Sequence, residues 1–124
     1  MRTSIATQQS INSTGPLTGF DLYAVNLLAG FDWTLNLRIT SLSAGSGSPS
    51  ITVNLEVSYD SFVTVHNQVS VSALGPVSAA DVTNSWRRYQ FGELGFGIGF
   101  ANAQMRLNVI ALNGTAVVDV WVDN

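Results

Sequence analysis

Two stretches of this chain alternate apolar and polar residues without a break. From Phe31 to Thr40, the side chains of Phe31, Trp33, Leu35, Leu37 and Ile39 fall on one side and those of Asp32, Thr34, Asn36, Arg38 and Thr40 on the other. From Ile51 to Asp60, Ile51, Val53, Leu55, Val57 and Tyr59 oppose Thr52, Asn54, Glu56, Ser58 and Asp60. Successive side chains of a strand point to opposite faces, so each stretch is predicted to be a strand with one face in a core and one toward water. A helix would scatter the same residues around its axis.

Further strands are expected between and beyond these two. Phe20–Leu28 is apolar on both faces, as in a covered strand. Phe62–Val71 places Val63, Val65, Val69 and Val71 on one side, and Ser85–Phe91 is rich in aromatic residues. Ala103–Ala111 directs Ala103, Met105, Leu107, Val109 and Ala111 inward. Thr115–Val122 groups Ala116, Val118, Val120 and Val122, with Val117 and Trp121 on a second face apolar enough to be covered too. Asn113-Gly114 is a two-residue hairpin signal, and Asp60-Ser61 marks another tight turn. Ser43–Ser50 reads as a surface loop, and Leu74–Asn84 has room for one helical turn around Ala79–Asp81.

Short strands separated by turn signals at this spacing indicate an all-β chain, a single antiparallel β-sandwich or jelly roll. The domain spans residues 20–124. Residues 1–19 are polar, with Ile5, Ile11 and Leu17 as their aliphatic anchors, and form either an extended N-terminal arm or a first strand. A frayed terminus is the plainer alternative.

A chain of 124 residues buries roughly two-thirds of its unfolded surface on folding. It does so without cysteine, which excludes disulfides and thiolate metal sites and fits synthesis in a reducing cytoplasm. Charged residues make up 10% of the chain, against about 25% in ordinary soluble domains. Ser, Thr, Asn and Gln, 39 residues together, supply the polarity instead. A net charge of −3 gives no basic footprint for nucleic acid. No apolar run has the length of a signal peptide or a membrane helix, so the Asn12 and Asn113 glycosylation patterns are read as accidental. All five positive residues, Arg2, Arg38, Arg87, Arg88 and Arg106, are arginine. Either composition bias or a role in interfaces, where Arg is favoured over Lys, accounts for this.

Little in the chain points to catalysis. His66 is the only histidine, and it falls on the polar side of an alternating run, where a solvated side chain is expected. A Ser-His-Asp triad would have to use it, and one histidine without cysteine makes no ordinary zinc site. The eight carboxylates, Asp21, Asp32, Glu56, Asp60, Asp81, Glu93, Asp119 and Asp123, fall mostly at outward or turn positions and form no calcium loop. A glycosidase would need two of them across a cleft. Gly95, Gly97 and Gly99 precede a strand rather than a helix, unlike a dinucleotide fingerprint. No catalytic, cofactor-binding or metal-binding residue is therefore expected. Trp33 is read as core, whereas Trp86 and Trp121 are candidates for exposure. Trp86 adjoins Arg87-Arg88, a combination found in interface hot spots. Arg2, Ile5, Ile11, Trp86, Arg87, Arg88 and Trp121 are the expected partner contacts.

The segment ITVNLEVSYDSFVTVH resembles the strand–turn–strand of small phage head-decoration and cement proteins, in which an alternating strand ending in S-x-D leads through a turn into a second strand. SWRRYQF followed by MRLNVIALNGTAVVDVWVD is similar to their closing portion, an arginine-aromatic strand before a final hairpin. The likeness covers about Ile51 to Asp123 in two parts. It implies a non-enzymatic β-sandwich or jelly-roll protein, made in the host cytoplasm and carried on the virion exterior. There it would sit, often as a trimer, at junctions between copies of the major capsid protein, with no nucleic acid or membrane as partner. The competing reading is a carbohydrate-binding β-sandwich module, since sugars stack on exposed aromatic rings.

Overall fold

The two alternating stretches become two central strands, one in each of two packed sheets. In the computed structural model, residues 2–17, 34–58, 60–65, 67–77, 82–87 and 104–123 are described. The strands are β1 (Arg2–Ile11), β2 (Gly15–Pro16), β3 (Thr34–Ser43), β4 (Ser50–Ser58), β5 (Asn67–Leu74), β6 (Val82–Arg87), β7 (Gln104–Asn113) and β8 (Thr115–Asp123). One sheet has the order β1-β8-β3-β6 and the other β2-β7-β4-β5, with every pairing antiparallel. Strand β1 pairs with β8, β2 with β7, β3 with β6 and β4 with β5. The chain is thus one long hairpin folded at β4–β5 and rolled so that successive pairs fall alternately in the two sheets. This is the jelly-roll form of the sandwich. The expected strand at Phe20–Leu28, the helical turn at Ala79–Asp81, His66 and the glycines of residues 92–101 lie outside the described residues.

The inner faces meet as the alternation requires. Leu35, Leu37 and Leu42 of β3, Val53 and Leu55 of β4, Leu107 of β7, and Val118 and Val120 of β8 are fully buried. The set Ala116, Val118, Val120 and Val122 faces the core together, as its spacing predicts.

Three expectations need correction. Val63 and Val65 are not on a strand face: residues 60–65 form the β4–β5 connection, and Val63 is 86% exposed. Backbone strain accompanies this turn, with positive φ at Ser61 and Phe62. The Ser58 hydroxyl and the Asp60 carboxylate accept backbone N–H bonds from Asp60, Phe62 and Thr64 and hold it. Ala111 does not continue the inward row of β7. A bulge at Ile110, where Thr52 faces Ala111 but Val53 faces Val109, exposes Ile110 and Ala111 and turns Leu112 toward the core. A matching bulge at Thr40 in β3 brings Leu42 inward.

The third correction concerns Asn113-Gly114, which does not join a hairpin. Strand β7 belongs to one sheet and β8 to the other, so the chain here crosses between sheets. Gly114 has φ +103, and a Cβ there would run into the backbone of Ser43 and Ala44. That close approach locks the crossing against the β3–β4 connection, which also passes between the sheets. The Asn113 amide donates to the Ser48 and Ser46 carbonyls and ties the two together.

Of the two alternatives for the N-terminal segment, the structure has a strand. Arg2–Ile11 is hydrogen-bonded along β8 as an edge of its sheet rather than extended from the domain as an arm. Ile11 and Leu17 are buried in the core, and Ile5 packs against it half-buried.

Two stability measurements follow from this packing. Leu55→Ala, at a position with no exposure, is expected to lower unfolding free energy by about 2–5 kcal/mol, read by denaturant titration. Gly114→Ala should lower the thermal midpoint well below that of Gly45→Ala, where an added Cβ meets nothing within 4 Å.

Candidate interaction surface on the outer face of the β1–β8–β3–β6 sheet

Strand β8 sends Asp119, Trp121 and Asp123 outward between two neighbours, and both neighbours close over them. Register sets Arg2 of β1 and Thr34 of β3 beside Asp123, Ser4 and Asn36 beside Trp121, and Arg38 beside Asp119. The Arg2 guanidinium donates to Asp123 Oδ1 at 2.9 Å, and Arg38 Nη2 donates to Asp119 Oδ2 at 2.8 Å. The same two guanidinium carbons lie 4.9 Å and 5.3 Å from the centroid of the Trp121 ring. The indole N–H donates to Asp123 Oδ2 at 3.1 Å. Asn36 also donates to Asp123 and accepts from the Ser85 hydroxyl of β6. One polar row therefore crosses all four strands, from Arg2 through Asp123 and Asn36 to Ser85.

Asp119 is held differently. Two residues of β1, Thr7 and Gln8, bulge opposite it, and Gln8 takes φ +50. This turns the Gln8 backbone N–H onto Asp119 Oδ1 at 2.7 Å, while the Gln8 amide reaches both carboxylate oxygens. Burial pushes the Asp119 carboxyl up, but these bonds and the Arg38 guanidinium outweigh it and hold the group below its ordinary value of 3.8. At Asp123 the Arg2 guanidinium is the main cause of a lowered pKa; partial burial opposes it and the indole N–H adds to it. Above this cluster lies a shallow, open depression of about 250 Å³.

The opposite sheet repeats the arrangement. Arg106 of β7 donates to Glu56 Oε1 at 2.7 Å, its guanidinium carbon 4.2 Å from the Phe62 ring centroid. Asn108 donates to the other Glu56 oxygen, and Asn54 is bonded to Gln68 and Ser70. Asn54 and Glu56 were expected to face water. They point outward but are each only 4% exposed, because side chains from β5 and β7 close over them.

Of the expected contact residues, the structure brings Arg2 and Trp121 together. Ile11 lies in the core, and Ile5 is half-buried at its edge. Trp86 and Arg87 stand on β6 opposite Leu35 and Thr34, at the far edge of the same sheet. Arg88 lies outside the described residues, as do Trp33 and the carboxylates Asp21, Asp32, Asp81 and Glu93. Reading the sequence alone missed Gln8, Arg38 and Asp119. A signal was present for one of them: Asp119 is the one charged residue between Thr115 and Val122.

Chemically, the cluster is satisfied internally. Asp119 and Asp123 are anionic carboxylates already occupied by arginine, and neither has a free proton to donate. Among the described residues no group of three His, Asp or Glu side chains is placed to hold a metal. No family model, no curated protein and no solved structure matches the chain.

Because its folded-state pKa is depressed, Asp119 contributes stability above its unfolded pKa and loses it as pH falls through the folded value. Asp119→Asn should cost about 1–3 kcal/mol at neutral pH, toward the lower end because Arg38 is partly solvated. The difference from the parent chain should be constant above about pH 5 and shrink below about pH 4 in thermal melts.

Proposed function

We propose that this chain is a non-enzymatic structural protein of a phage particle, seated on the capsid exterior against the major capsid protein and further copies of itself. The observation that carries this reading is the character of the described outer face. Over the described residues it is a sheet surface whose ion pairs close within the chain, with a shallow depression above them. Such a surface suits packing against another protein, where each ionised group must already have a partner when water is removed. Small-molecule sites, in contrast, are concave and mostly apolar. The jelly-roll strand order is in keeping with this, since the architecture recurs in capsid and lectin domains. Fold alone does not decide between those two.

The carbohydrate-binding alternative is less well supported at Trp121. A sugar stacking on that ring would have to displace the guanidinium of Arg2 or Arg38. Of the remaining expected contacts, Trp86 and Arg87 lie on the β6 edge, which is the edge proposed to meet the capsid.

The test is co-sedimentation of the purified protein with particles of the phage whose genome encodes it, beside retention on a polysaccharide column. The expected result is saturable binding to particles, weakened when Arg87→Ala and Arg88→Ala are combined. Binding to the polysaccharide without binding to particles would favour the carbohydrate reading.

A further inference from the structure

We propose that β5 is an association edge, pairing antiparallel with β5 of a second copy of this chain about a two-fold axis at Ser70. The inference does not depend on the capsid reading, and the two-fold contact differs from the three-fold one that the family resemblance implies.

Among the described residues each sheet ends in two edge strands, and three of the four are blunted. Strand β1 is broken by two register shifts and carries Arg2. Strand β2 is two residues long and includes Pro16, which has no N–H to offer. Strand β6, over its described residues Val82–Arg87, carries a charge at Arg87. These are devices by which natural edges avoid pairing with other chains. Among the described residues strand β5 has none of these three features. Its eight residues, NQVSVSAL, contain no charge and no proline. They pair with β4 from Val57↔Asn67 to Ser50↔Leu74 without a register shift. Among the described residues β4 is its one strand neighbour. A row of backbone donors and acceptors in regular spacing specifies another strand as its complement.

The side chains indicate which strand. Val69 and Val71 are half-buried at the rim of the core. Val63, Val65 and Leu74, three of the large apolar residues left exposed, flank β5 at its two ends. In an antiparallel pair related by a two-fold axis, a residue faces one of the same parity, so inward faces continue inward. An axis at Ser70 sets Val69 opposite Val71 of the second copy, twice, and Ser72 opposite Gln68, twice. β-Branched cross-strand pairs of this kind stabilise a sheet. The two four-stranded sheets then form one continuous sheet of eight strands, and the valines gain the cover that a single copy does not give them. Because the same segment supplies both sides, the contact is isologous and closes at two copies.

The absence of cysteine allows a direct test. Directly opposed residues of antiparallel strands have Cα atoms about 4.5–5.5 Å apart, within the range a disulfide spans. Under mild oxidation Ser70→Cys should cross-link to a covalent dimer, whereas Ser10→Cys on the bulged β1 edge should not. Sedimentation of the unmodified protein should show a species of twice its 13.2 kDa mass. Ser70→Lys, which sets two ammonium groups across the axis, should raise the dimer Kd by about tenfold or more, with an unchanged circular dichroism spectrum. A protein that stays monomeric at high concentration would overturn the proposal. So would a dimer in which Ser70→Cys cross-links no faster than Ser10→Cys. Should Ser70→Lys unfold the chain, the cross-linking rates decide alone.

Discussion

The fold depends on β8 lying between β1 and β3. Its inward residues Ala116, Val118, Val120 and Val122 complete one wall of the core, and its outward residues Asp119, Trp121 and Asp123 organise the opposite surface. Both partners come from the first half of the chain, as Arg2↔Asp123 and Thr34↔Asp123 illustrate. Until the last strand arrives, β1 and β3 have no common neighbour and the first sheet has no centre. Such long-range pairing incurs loop-closure entropy before its contacts form, which makes for slow folding. The inter-sheet crossing at Gly114 then sets where β8 begins, because the chain can pass Ser43 only where there is no side chain.

The arginines acquire a physical explanation from the same arrangement. Arg2, Arg38 and Arg106 each bind one carboxylate while lying against an aromatic ring, Trp121 for the first two and Phe62 for the third. A planar guanidinium does both at once, donating at its edge while its carbon lies over the ring. An ammonium group offers no such edge and face. In a chain with so few charges, these three ion pairs act as fixed joints between strands. The interface explanation for a lysine-free chain is thus unnecessary for these three, whatever Arg87 and Arg88 contact.

Much of this architecture was legible beforehand. The alternation in residues 31–40 and 51–60 located β3 and β4 and their inward residues, because period two is a direct consequence of strand geometry. Where the sequence misled, the cause was also geometric. A bulge inserts one residue and reverses the phase, so Ala111 reads inward by simple counting and turns outward once Ile110 is extruded. An Asn-Gly pair shows where the chain turns but not whether its flanking strands remain in one sheet. Strand β1 lacks a clean alternation because two bulges interrupt it, and so it resembled an arm. The candidate surface was the least legible part. Trp121 and Arg2 were singled out separately, but their meeting depends on the register of strands from opposite ends of the chain.

That register has one more consequence. Arg2 and Asp123 are adjacent in the sheet and joined by an ion pair, so the first and last described strands hold each other side by side. A cut in residues 43–50, where Gly45, Ser46 and Gly47 are exposed, would leave β1 and β3 still paired with β8, and β2 with β7. The two pieces of chain would stay together through strand pairing in both sheets.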